Sequence, residues 1–228
     1  MTSEARERPI LFSAPMVRAI LDGRKTQTRR VVNLTEFGPS TTRGYDWHFR
    51  DKHALWNDVS TERLLESRCP WARVGDRLWV RETHSYCDPM ADGVERDDPT
   101  NVAYRADLSA RVYGCGALSA PLDTFGWNWE HKSITWRSSI HMPRWASRIT
   151  LEVTDVRVQR VRDISEEDAA AEGVDYIPEA PPSELTHRGA WRGLWDSING
   201  KKPARAWADN PWVWAVSFKV AEEVPDAE

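Results

Sequence analysis

Apolar residues along this 228-residue chain recur mostly in short runs bounded by Gly, Pro, Asn and Asp, and several of those runs alternate with a period of two. That pattern predicts strands joined by turns and loops, with few helices. Residues 9–13 form the first apolar run, a predicted strand. Ser13 stands where a helix cap belongs, with Pro15 in the first turn, where a missing N–H costs nothing. Met16, Val17, Ile20 and Leu21 then recur at helical spacing, and Gly23 sits where a glycine stops a helix. Residues 26–32 are β-prone. Lys25 therefore falls in a tight helix-to-strand junction and Thr28 on the strand.

Residues 33–70 read as polar and irregular, an insertion or long loop. A turn at 70–76 leads into a strand over 77–83, with Leu78, Val80 and Glu82 on one face. Residues 88–101 are acidic and loop-like, 102–105 form a strand, and 114–130 look like a second insertion. A turn-rich stretch at 136–143 precedes the clean alternation of 148–154, whose apolar face is Ile149, Leu151 and Val153. Ser165 with the acids after it resembles a capping box, placing a short helix that Gly173 ends. Prolines between 178 and 182 break the chain, 191–198 form a short amphipathic helix, and 212–220 form a closing strand. The expected organisation is one domain over 1–228 with insertions at 33–70, 88–130 and 179–209. The fold class is α+β, a small barrel decorated by short helices and long loops.

Charge changes the picture locally. The net charge of −4 excludes a uniformly basic nucleic-acid coat. Residues 1–30 nevertheless hold seven Lys/Arg against three acids, and 131–162 hold seven against two. Residues 163–188 hold eight acids against Arg188 alone. The basic segments either meet on one face and attract phosphates, or simply lie on solvated strands. The 13 tryptophans leave a similar choice between core packing and a stacking platform for a base.

No apolar run approaches the roughly 18 residues that span a bilayer. The first eight residues lack the apolar segment of a secretory signal. Cys69, Cys87 and Cys115 are too scattered for a disulfide framework and fit a reducing cytoplasm. His84 with Cys87, and His131 with His141, lack metal-site spacing, so neither metal nor cofactor is expected.

Residues 23–29, GRKTQTR, resemble the signature of the ASCH family, and 74–78, VGDRL, resemble its glycine-aspartate turn. The stretches RPILFSAPM at 8–16, LWVRE at 78–82, HMPRWASR at 141–148 and NPWVW at 210–214 resemble ASCH-related proteins of phages and prophages. The resemblance implies a PUA-like barrel and a nucleotide or RNA ligand. One branch, the N4-acetylcytidine amidohydrolases, is similar at its site: it uses a lysine, a threonine three residues on, and a glutamate on a later helix. Those roles fall on Lys25, Thr28 and, through SEEDAAAE at 165–172, on Glu172.

Amide hydrolysis needs a nucleophile, a proton shuttle and an oxyanion stabiliser. Thr28 is the candidate nucleophile and Glu172 the shuttle. Lys25 is the candidate base or oxyanion stabiliser, with Arg24, Arg29 and Arg30 supplying like charge beside it. Arg24, Arg29, Arg30 and Glu82 are candidate substrate-binding residues. Arg30 is equally readable as a salt-bridge residue, and Glu82 as an arginine's partner. The expected partner is a modified cytosine nucleoside or single-stranded nucleic acid, taken either by an amidohydrolase-like enzyme or by a binding module without chemistry.

Overall fold

The computed structural model describes residues 5–86, 101–112, 120–121, 136–174 and 186–221. Its elements run β1 (Glu7–Leu11), α1 (Ala14–Leu21), β2 (Gln27–Val31), β3 (Thr35–Pro39), β4 (Trp47–Arg50), β5 (Trp56–Val59), α2 (Thr61–Arg68), β6 (Arg77–Arg81), β7 (His84–Tyr86) and β8 (Asn101–Tyr104). They continue with β9 (Ser109–Val112), β10 (Ala120–Pro121), β11 (Thr150–Arg160), α3 (Glu166–Ala171), α4 (His187–Asn199) and β12 (Trp212–Val220). The largest sheet has the strand order β1-β6-β11-β12-β2, and the others are β10-β9-β8-β7 and β3-β4-β5. The α+β class is as expected, but the barrel is not: among the described residues all three sheets are open. Alternation specifies which face of a strand is buried and leaves open whether a sheet closes.

The chain divides into two compact units. The first takes Met1–Arg6, Arg24–Arg77 and Glu152–Lys219, and the second takes Glu7–Gly23, Leu78–Leu151 and Val220–Glu228.

In the first unit, β2 lies antiparallel to β12, with Thr28 opposite Val216 and Gln27 opposite Ser217. Ser165 caps α3 by accepting from the Asp168 N–H, and Gly173 leaves the helix at φ +75°. The helix expected over 191–198 is longer. It starts at His187, where the Thr186 side chain accepts from the Gly189 N–H. Its first turn is polar, so apolar periodicity misses it. Trp191 and Trp195, four residues apart on one helix face, join Val161, Ile164, Ala169 and Val213 in the core.

Residues 33–70 are not irregular. They fold into the β3-β4-β5 meander followed by α2. The strands are only four or five residues long and carry charges on their outer face, which hides their period. Phe37 stacks on Trp47 at 5.0 Å, and Trp212 meets Trp47 edge-on at 4.9 Å. The turn before β6 forms as expected: the Asp76 carboxylate accepts from the N–H groups of Arg6 and Arg73 at 3.0 and 2.9 Å.

In the second unit, α1 begins after Ser13, but that side chain makes no capping bond; the Ser13 carbonyl accepts from the Val17 N–H at 2.9 Å. Gly23 ends the helix region at φ +73°, where a side chain would be strained. Val102, Tyr104, Met142 and Ala146 form a buried cluster. The acidic stretch 88–100, most of the segment 114–130 and the prolines at 178–182 lie outside the described residues.

Tryptophans divide by burial. Trp195 is 4% exposed and Trp56 is 55% exposed. Replacing Trp195 by Ala is expected to destabilise the protein by about 3–5 kcal/mol, whereas Trp56→Ala stays within about 1 kcal/mol. Urea denaturation of the two variants checks the contrast, and equal losses would contradict it.

Candidate functional site

The first strand of the first unit brings its charged residues against the end of α3. The Thr26 N–H donates to the Ala171 carbonyl at 2.8 Å, and Lys25 forms an isolated antiparallel bridge with Glu172. This backbone bridge sets the two candidate residues side by side. Lys25 is 2% exposed. Its Nζ donates to the Gln27 carbonyl at 2.9 Å, to the Glu172 carbonyl at 2.9 Å, and to Glu172 Oε2 at 2.8 Å. An ammonium has three donor hydrogens, so all are accounted for.

Glu172 is shared. Its Oε1 accepts from Arg29 NH1 at 3.1 Å. Arg29 also donates through NH1 to Gln27 Oε1, and through NH2 to Asp168 Oδ2 at 2.7 Å. Asp168 and Glu172 are four residues apart, one helical turn, so both carboxylates face β2. Asp168 accepts as well from Gln27 Nε2 at 3.2 Å and from Arg157 of β11 at 3.0 and 3.1 Å. Gln27 completes the set by donating to Ser217 Oγ at 3.0 Å. Asp168, Gln27, Arg157 and Ser217 were not among the sequence candidates. The capping box and the alternation of 27 with 29 were visible, but their meeting was not.

Burial pushes the Lys25 ammonium below its ordinary value of 10.5. The Glu172 charge and hydrogen bond work against that, while Arg30 and Arg29 add to it. Burial likewise lowers Arg30, opposed by the Glu172 charge. Burial pushes the Asp168 carboxyl up, but Arg29, Arg157 and Gln27 outweigh it and hold it below its usual 3.8.

Thr28 is buried in the middle of β2. Alternation turns it, with Arg30, to the face opposite Gln27 and Arg29. The Glu172 charge still reaches Arg30, so the carboxylate acts on both faces of the strand. The Arg30 guanidinium lies 5.6 Å from the Trp71 ring. Arg24 is exposed and donates to the Gly173 carbonyl at 3.3 Å.

Glu82 belongs to the second unit. It is 1% exposed and paired with Arg148 through two bonds, at 2.9 and 3.0 Å. Arg148 also donates to Asp107 at 2.8 and 3.0 Å and to Ser109 Oγ at 2.6 Å, and its guanidinium lies 4.0 Å from the Tyr104 ring. Burial raises the Glu82 carboxyl above its ordinary value, with Arg148 opposing. Glu82 is thus the partner of an arginine.

Five arginines of the basic stretch 131–162 are held by carboxylates or carbonyls. Arg144 pairs with Glu7, Arg148 with Glu82 and Asp107, and Arg157 with Asp168. Arg160 donates to the Asn210 carbonyl and Arg162 to those of Trp207 and Ala208. Among the described residues no three His, Cys, Asp or Glu side chains converge as a metal set, and no helix is long and apolar enough to cross a membrane. Cys87, Cys115 and His131 lie outside the described residues.

Two outcomes follow for stability. Glu172→Gln leaves Lys25 and Arg29 buried without their shared counter-charge and is expected to cost about 3–5 kcal/mol in chemical denaturation. Asp168 binds its proton less tightly folded than unfolded, so its contribution is present above 3.8 and lost as the pH falls through the folded value. The stability difference between wild type and Asp168→Asn should therefore narrow below pH 3.8. A difference that stays constant with pH would contradict the pairing.

No family model matches the chain, and no curated protein does. Among solved structures the chain is similar to an ASCH domain from Lactobacillus crispatus JV V101, at 12% identity, over 94% of this chain and 79% of that one. The TM-score is 0.34, and a likeness of that size carries no argument about this chain.

Proposed function

We propose that the chain is an amidohydrolase-like enzyme acting on an acylated cytosine nucleoside or base, with Lys25, Glu172 and Thr28 as its catalytic residues. The observation that carries the reading is the contact between Lys25 and Glu172. These residues are 147 positions apart in sequence, and their side chains meet at 2.8 Å inside the first unit. A lysine whose ammonium is disfavoured by burial is suited to act as a base. A carboxylate bonded to it can relay a proton.

In this reading Lys25 first passes a proton to Glu172, its partner at 2.8 Å. Substrate binding turns the freed amine toward the strand face of Thr28, where it takes the Oγ1 proton as that oxygen attacks the acyl carbon. The developing oxyanion is stabilised by the neighbouring guanidinium charge of Arg29 and Arg30. The acyl C–N bond breaks, and the leaving amine of the base takes the proton through Glu172. Water then hydrolyses the threonine ester, releasing the carboxylate and restoring Thr28. Arg24, Arg29 and Arg30 are assigned to holding the substrate. The chemistry uses side chains alone and needs no cofactor.

The alternative, a reader of modified nucleic acid without chemistry, draws on Trp56. That ring is exposed, with the Arg50 guanidinium 5.2 Å from it. It predicts salt-dependent binding to single strands.

The deciding assay is acetate release from N4-acetylcytidine, free and within single-stranded RNA. Wild-type protein is expected to turn over, and Lys25→Ala and Thr28→Ala to lose activity by about 10²–10⁴-fold. Absence of turnover on both substrates would overturn the proposal. Full activity in Thr28→Ala would remove threonine from it and leave water as the nucleophile.

A further inference from the structure

The Asp168 carbonyl accepts from the Glu172 N–H at 3.1 Å within the helix turn, and the Asp168 side chain holds the residue that competes with Lys25 for Glu172. Arg29 spans the two carboxylates of α3: NH2 binds Asp168 at 2.7 Å and NH1 binds Glu172 at 3.1 Å. Lys25 binds the other oxygen of Glu172 at 2.8 Å. The shorter bond of Arg29 is thus to Asp168, and the Glu172 oxygen facing Lys25 is left to the ammonium. Asp168 is itself fixed from two sides, by Gln27 on β2 and by Arg157 on β11, whose Nε lies 3.5 Å from Asp155.

We infer that Asp168 is a positioning residue of this site: by anchoring one arm of Arg29 it divides the Glu172 carboxylate between Arg29 and Lys25. The physical reason is the geometry of guanidinium. A carboxylate facing an untethered guanidinium is taken in a two-armed, planar pair. With Asp168 removed, NH2 has no carboxylate, and Arg29 is drawn onto both oxygens of Glu172. Lys25 then loses part of its counter-charge and holds its proton less tightly. The charged groups acting on Lys25 are Glu172 from the end of α3, and Arg29 and Arg30 from β2. Those acting on Asp168 are Arg29 from β2 and Arg157 from β11. Of the charged groups acting on Asp168, Arg29 is the one that also acts on Lys25.

The inference deepens the proposed function and rests on it for the importance of Lys25, but its test needs no substrate. The Lys25 titration is followed by NMR of lysine labelled at Cε, with Lys25→Met assigning the signal. In Asp168→Asn the midpoint is expected about one pH unit below wild type, and in Asp168→Glu it should return toward the wild-type value. A merely structural role gives the opposite sign. Loosening the site exposes Lys25 and raises its midpoint toward the ordinary 10.5. An unchanged or raised midpoint in Asp168→Asn overturns the inference, whatever the acetate assay shows. A lowered midpoint in a protein that releases no acetate upholds it and leaves the proposed activity to fall alone.

Discussion

Burying a carboxylate is costly unless cations stand against it, and Glu172, 5% exposed, has two, Lys25 at 2.8 Å and Arg29 at 3.1 Å. The rest of the first unit's site follows from that demand. The backbone bridge between Lys25 and Glu172 brings the end of α3 to the start of β2. The helical spacing of Asp168 from Glu172 then sets a second carboxylate opposite Arg29, and Arg157 and Gln27 satisfy what remains of it. Trp191 lies beside the arginine, 5.6 Å from its guanidinium, and carries the network into the apolar core through its contact with Trp195.

The second unit solves the same problem with one arginine. Arg148 spends all five of its N–H donors on Glu82, Asp107 and Ser109 while its plane rests on Tyr104. That network is closed. The network around Lys25 differs in kind, because it includes an ammonium that burial disfavours. A closed guanidinium pair stabilises and specifies packing, whereas an amine held away from its ordinary protonation is suited to moving a proton.

Much of the local structure was legible in the sequence. The alternation at 212–220 is β12, the apolar face of Ile149, Leu151 and Val153 is buried, the serine at 165 caps its helix, and the glycines at 23 and 173 adopt positive φ. Each of these depends on neighbours within a few residues. The β3-β4-β5 meander was missed because its strands are short and charged on one face. The first turn of α4 was missed because it is polar. The barrel is expected from the excess of strands over helices as well as from a resemblance, and the sheets, open among the described residues, answer a question of closure that periodicity does not address.

For the site, the resemblance of residues 23–29 and 165–172 named Lys25, Thr28 and Glu172 without any knowledge of distance. Sequence by itself determined the chemistry available: a lysine at a turn, arginines around it, and acids on a short capped helix. Tertiary structure decided which of these charges meet. The bonds that make the network join residues 139, 143 and 147 positions apart, and no local pattern constrains partners at such separations. It also decided which arginines are spent. Those of 131–162 read as one basic stretch in sequence, but Arg144, Arg148, Arg157, Arg160 and Arg162 are bound to particular carboxylates and carbonyls in the fold. A charge count sums along the chain, whereas the electrostatic energy depends on the distances that folding creates.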